Sequence, residues 1–227
     1  MEITERPALT LNGWWGVQVC AASVAGAWFL AGPHPGWLWL PVLVFVVVAA
    51  SLVIVPPGQS SVVQFFDTYV GTARTPGFWW TLPLTVRRRV SVRVRNFEAN
   101  RLKVNDADGN PLDIAAIVVW QVADTARAVY AVGSYWDFVR VQSESALRHV
   151  ATTHPYDDTS GDGTSLRGST DVVAGELARE VAERVRLAGV EVVEVRISHL
   201  AYAQEVAQAM LRRQPAQPVV NAGSLYT

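Results

Sequence analysis

Residues 104–122 read VNDADGNPLDIAAIVVWQV, and the fold class turns on this stretch. Asn105 to Asn110 contains Asp108-Gly109, a pair suited to a tight hairpin turn. Beyond the turn, Leu112, Ile114, Ala116, Val118, Trp120 and Val122 alternate along one face of a strand. The opposite face carries Ile117 and Val119 and is also apolar, so both sides of the strand are expected to be covered. Upstream, Val62 to Phe66 reads as another strand, opened by Pro56-Pro57-Gly58, and Thr75-Pro76-Gly77 marks a turn. Val90, Val92 and Val94 then alternate with Ser91, Arg93 and Arg95, predicting a strand.

Downstream of Val122 the spacing becomes helical. Ser134 caps a helix running to about Ala151, with Glu144 and Arg148 four residues apart. A polar loop over Pro155 to Gly168 follows. Ser169 or Thr170 caps a second helix in which Val173, Leu177, Val181 and Val185 recur every four residues. Its outer face pairs Glu180 with Arg184, and Gly189 stops it. Val193, Val195 and Ile197 alternate as a late strand, and helical spacing resumes from Tyr202 to Arg213 until Pro215 and Pro218 end it. Strands first, helices next and a late strand predict an α+β fold, not a doubly wound sheet.

The first 55 residues differ in kind. No Asp, Glu, Lys or Arg occurs from Gly13 to Val55. Two apolar runs, 14–31 and 37–55, are each near the roughly 20 residues that cross a bilayer as a helix. Gly32-Pro33-His34-Pro35-Gly36 between them breaks helices. Trp14, Trp15, Trp37 and Trp39 fall at the run ends, where indoles favour the headgroup region. A cleaved signal peptide needs a basic leader, but the N-terminus sets Glu2 and Glu5 against Arg6 alone. The reading is a membrane hairpin with both ends on one side. The arginines stay with the main domain, which favours a cytoplasmic domain; a re-entrant hairpin would read the same way.

Chemistry is sparse. The net charge of −1 gives no bulk pull on nucleic acid. Cys20 is the only cysteine and lies in an apolar run, so neither a disulfide nor a cysteine metal site is expected. His149 and His154 lie near Asp157, Asp158 and Asp162 without recognisable ligand spacing, so no metal is expected. Asp106 to Asn110 lacks the Gly and Glu positions of a calcium loop, and Gly161 to Ser165 lacks a phosphate-loop ending. No catalytic set or cofactor site is read. A hydrolase working through His149 and Asp162 is the weakest alternative. Arg87-Arg88-Arg89, with Arg93, Arg95, Arg101 and Lys103, reads either as a charged strand edge or as a contact for anionic headgroups. Phe78-Trp79-Trp80 puts three aromatics in a row, which one core cannot all receive from a strand, so the segment is expected to touch the bilayer.

The order of these segments resembles a known family. Val55-Pro56-Pro57-Gly58-Gln59, Val62 to Phe66, Tyr69-Val70-Gly71-Thr72 and Arg74 to Gly77 look like the start of an SPFH (stomatin/prohibitin/flotillin, or band 7) domain. Val104 to Pro111 with Ile117 to Val122, Ser143 to Arg148, Gly189 to Val192 and Arg196 to Ala203 resemble its later blocks, over about residues 54–213. The resemblance implies two subdomains, no chemistry of its own, and assembly into rings or cages that organise membrane microdomains. Implied partners are membrane lipids, further copies of the chain and a membrane protease or other membrane protein, which the chain would regulate in the alternative reading. The expected division is a hairpin over 1–55, subdomains over 56–130 and 131–200, and a short helix with a Pro-containing tail over 201–227. In the last helix Val206, Met210 and Leu211 belong to an apolar stripe for which the family implies subunit contact. Relatives continue that helix into a coiled coil, whereas Gln214-Pro215-Ala216-Gln217-Pro218 halts it here. Lys103, the only lysine among many arginines, points to a GC-rich bacterial source.

Overall fold

The computed structural model describes residues 4–32, 35–66, 68–157 and 164–203. It is an α+β protein whose described sheet pairings are antiparallel, apart from one isolated parallel bridge. Two compact units divide the chain, and they interleave rather than follow one another. The first takes Met1–Arg95, Gln121–Phe138 and Arg186–Glu191; the second takes Asn96–Trp120, Val139–Val185 and Val192–Thr227. The apolar hairpin falls within the first unit.

In that unit, strand β1 (Leu11–Asn12) leads directly into helix α1 (Gly13–Ala31). A 3-10 turn and helix α2 (Trp39–Ser51) follow, and strand β2 (Leu52–Val55) leaves. The second apolar run is thus helical over 13 residues only. Its last four residues, Leu52-Val53-Ile54-Val55, are extended because three are β-branched and Pro56 follows. β5 (Gly77–Trp80) supplies them with antiparallel backbone partners. β5 also pairs with β1, so Trp80 stands opposite Leu11 on one side and Leu52 on the other. The two ends of the hairpin are fixed on either side of one strand.

A second sheet of the unit has the order β4-β3-β6, from β3 (Gln59–Phe65), β4 (Thr68–Ala73) and β6 (Thr85–Ser91). Val62, Val63 and Val90 are buried in it. β6 ends at Ser91, short of the expected Val94, because Arg93 turns to donate to the Pro57 carbonyl and Val94 is exposed. The N-terminal segment lies along β4, with Ala8 N bonded to Thr72 O and Thr72 N to Arg6 O. Glu5 Oε2 accepts from Thr125 N at 2.9 Å, at the start of α3 (Thr125–Tyr130), while Oε1 faces Arg74 at 3.5 Å.

The third sheet has the order β10-β9-β7, with β8 also paired to β9. These are β7 (Arg95–Glu98), β8 (Leu102–Asn105), β9 (Pro111–Val122) and β10 (Val190–Tyr202). The expected face of β9 is buried throughout, from Leu112 to Val122, and Ile117 and Val119 behind it are half-buried. In the second unit, α4 (Tyr135–Thr153) buries Val139, Leu147 and Val150, and α5 (Thr170–Val185) buries Val173, Leu177, Val181 and Val185. Ser134 Oγ caps α4 at Asp137 N, and Glu180 binds Arg184 at 2.6 Å. Glu144 accepts from Asn100. Gly189 reverses the chain at φ +67°, a left-handed conformation that a side chain would strain. β10 outlasts the expected late strand, and on it Val195 is buried while Val193 is exposed. The expected helix from Tyr202 begins as strand at Tyr202; its remainder, with Val206, Met210 and Leu211, lies outside the described residues.

Candidate membrane interface

The hairpin's surface is apolar and uncovered. Trp28 is 87% exposed, and Phe29, Val42, Leu43 and Val46 are also exposed. Moving apolar area out of water gains about 25 cal/mol per Å², a gain that the protein's own packing does not supply to this surface. Helix α1 has 19 residues, about 28 Å at the helical rise. Helix α2, at 13 residues, reaches about 20 Å.

Small residues seat the hairpin on the first sheet. Asn12 caps α1 by accepting from Trp14 N at 3.1 Å. Gly13 lies against the Phe78 ring, and Gly16 lies against Leu52 and Trp80, so closely that a Cβ at either would collide. Trp14 meets Phe78 edge to face at 6.3 Å between centroids. At the other end, Ser51 is 1% exposed and serves as a hub. Its Oγ accepts from Trp80 Nε1 and donates to Val48 O, both at 2.6 Å, while its carbonyl accepts from Thr81 N and Oγ1 at 3.0 Å.

Arg87 closes α2. Its Nη1 donates to Leu52 O at 2.8 Å, and Nη2 donates to Ala50 O and Thr81 Oγ1 at 3.0 Å. A cation that fills the last carbonyls of a helix also meets the negative end of its dipole. Burial lowers the pKa of this guanidinium from its ordinary value. Arg88 and Arg89 are exposed.

The three adjacent aromatics divide by strand alternation. Phe78 and Trp80 turn to the hairpin base. Trp79 packs on Val53, Val55 and Ala73 and donates its indole N–H to Thr75 O at 2.9 Å. Trp14, Trp15, Trp37 and Trp39 are all exposed at the helix ends. Residues that sequence reading passed over widen the apolar base: Leu9, Leu11, Leu82 and Leu84 are exposed, and Leu9, Leu11 and Leu82 border one hollow with Trp80 and Pro83. Their signal was present, as leucines flanking Trp14 and Trp80, but too short to read as a pattern. Leu84 takes φ +59°, unusual for a leucine, at a loop tip.

The second unit holds polar side chains that bind the fold itself. Asp106 is buried, and its carboxylate accepts from Asp108 N, Asn110 N, Asn110 Nδ2 and Tyr156 N. This ties a turn together and spends the oxygens a cation would need. His154 Nε2 lies 2.8 Å from Glu176 Oε2. Among the described residues no three His, Cys, Asp or Glu side chains cluster as a metal site, and Asp158 and Asp162 lie outside those residues.

The family model described as SPFH domain / Band 7 matches residues 53–219, more than half of the chain. The chain belongs to the SPFH domain / Band 7 family. The comparison with curated proteins gave no match. The SPFH match begins at Val53 in β2, so α1 and α2 precede it. SPFH proteins are commonly membrane-associated and generally of a non-enzymatic, scaffold type. The SPFH domain of this chain therefore receives its apolar hairpin through β1 and β2, which border the same strand, β5.

Proposed function

We propose that this SPFH protein is a membrane-anchored scaffold that assembles into a ring or cage and organises the membrane around it. The observation that carries the reading is the hairpin base. β1 and β2 both pair with β5, so the apolar helices leave and return at one level. Anchor and domain then share one rigid seat, and the domain rests at the surface that the hairpin enters. The side is cytoplasmic in this reading, because the arginines belong to the domain and the hairpin carries no charge. Partners are lipids, further copies of the chain and a membrane protein held or restrained by the assembly. No chemistry is assigned to the chain.

The mass of the detergent-solubilised protein, with detergent subtracted, tests the scaffold half. A particle of many subunits is expected. A particle of one chain, 24.8 kDa, would contradict self-assembly.

A further inference from the structure

Beside the hairpin base a cleft of about 360 Å³ opens between the two sheets of the first unit. β2 and Phe78 form its apolar side, and Ser61, Arg87 and Arg89 its polar side. Ser61 and Arg89 are partners across β3 and β6, and Arg87 stands two residues along, opposite Val63. All three side chains therefore leave the sheet on the same face.

Two donors in this group are unused. Ser61 is 3% exposed, yet its Oγ has no hydrogen-bond partner. Arg87 Nε is likewise shielded and without an acceptor, although its Nη atoms are engaged by Leu52 O, Ala50 O and Thr81 Oγ1. Buried donors without acceptors are rare in folded proteins, and each carries a desolvation cost that an incoming acceptor would cancel. The Nη bonds hold the guanidinium still while its Nε–H remains to give. Arg89 adds a second, exposed cation, and among the described residues no acidic side chain lines the cleft.

The opposite wall defines the rest of the ligand. Ile54 is 65% exposed, and Phe78 is half-buried beside it. The cleft opens where α2 ends and the hairpin meets the sheet. Its occupant must accept hydrogen bonds, carry negative charge with no cation of its own, and continue into an apolar chain. Arginine suits phosphate because its fork presents parallel donors to the oxygens.

We propose that this cleft holds the phosphate of an anionic glycerophospholipid through Ser61 Oγ, Arg87 Nε and the Arg89 guanidinium, with the first acyl carbons along Ile54 and Phe78. The site rests on the membrane-anchor reading above and adds headgroup selectivity to it. A zwitterionic phosphocholine would bring a cation that finds no carboxylate in the cleft, so binding favours headgroups such as phosphatidylglycerol.

The test uses the full chain, stripped of lipid in a non-ionic detergent and titrated with dihexanoyl-phosphatidylglycerol. Saturable binding is expected, and Ser61→Ala and Arg89→Ala should each weaken it about tenfold, the scale of a hydrogen bond to a charged group. Arg89→Lys, which keeps the charge without the fork, should fall between. Ser61→Ala removes one atom from a buried site, and an unchanged circular dichroism spectrum shows that the fold persists. Dihexanoyl-phosphatidylcholine and inorganic phosphate are titrated in parallel and should bind more weakly. If inorganic phosphate binds as tightly as the lipid, the site belongs to free phosphate and the proposal falls. Flotation of the same proteins with pure phosphatidylcholine vesicles separates the two readings. Wild type and variants should all float, since the hairpin is untouched. Wild type that fails to float overturns the anchor itself. Normal flotation with equal phosphatidylglycerol affinity in wild type and variants overturns the lipid site alone.

Discussion

Gly13→Ala probes the joint between anchor and domain. A Cβ on Gly13 would fall 2.6 Å from Phe78 Cε1 and 2.7 Å from Cγ. Carbon atoms pack comfortably at about 3.5–4.0 Å, so the ring or the helix must retreat by about 1 Å. Overpacking of this kind costs about 1–3 kcal/mol. Alanine returns up to about 1 kcal/mol of helix propensity, less at a first helical residue. The net expectation is a loss of about 1–2 kcal/mol. In a Phe78→Ala background the methyl finds space, and the same substitution should cost nothing or stabilise slightly. The double-mutant cycle should therefore show a coupling of about 1–3 kcal/mol. Equilibrium unfolding of the detergent-solubilised protein by guanidinium, followed by circular dichroism, reads all four corners. Strictly additive effects would refute the claim that α1 is seated on β5.

Arg87→Ala strips the carbonyls of Ala50 and Leu52 of their donor and should destabilise the first unit by about 2–3 kcal/mol, with faster amide exchange at the end of α2. Arg87→Lys should recover only part of this, because an ammonium lacks the fork; full recovery would mean that charge alone suffices. Asp106→Ala removes the acceptor of four hydrogen bonds in the β8–β9 turn and at Tyr156, and a loss of about 2–4 kcal/mol is expected in the same unfolding assay. Glu5→Ala releases the cap on Thr125 and the ion pair with Arg74, so the Ala8 amide, bonded to Thr72 O, should exchange several-fold faster. An unchanged exchange rate would mean that backbone bonds to Thr72 hold the segment unaided.

The α+β class and most helices and strands were legible because alternation and four-residue spacing are local. Leu112 to Val122 and Val173 to Val185 fell where their periodicity put them. The hairpin was legible for a different reason, the 43 residues from Gly13 to Val55 that carry no charge. That same uniformity concealed where α2 ends. Leu52 to Val55 is as apolar as the helix before it, and only pairing with β5 makes it a strand. Arg87 read as one of three alike arginines, and what separates it from Arg88 and Arg89 is its reach to Ala50 and Leu52, more than thirty residues away in sequence. Ser61 gave no signal at all, since an unpaired buried hydroxyl is a property of its surroundings. Glu5 at Thr125, 120 residues apart, was beyond any pattern.

The native thiol offers the most direct test of membrane insertion. Cys20 lies in α1 and is only half-buried by protein, so a hairpin that enters the bilayer must have lipid shielding this thiol. In sealed proteoliposomes a charged, impermeant maleimide should leave Cys20 unlabelled until detergent and denaturant expose the thiol, because the reagent needs the thiolate, which the hydrocarbon core disfavours. Ready labelling of Cys20 by the charged reagent in intact vesicles would place α1 in water and contradict the membrane anchor.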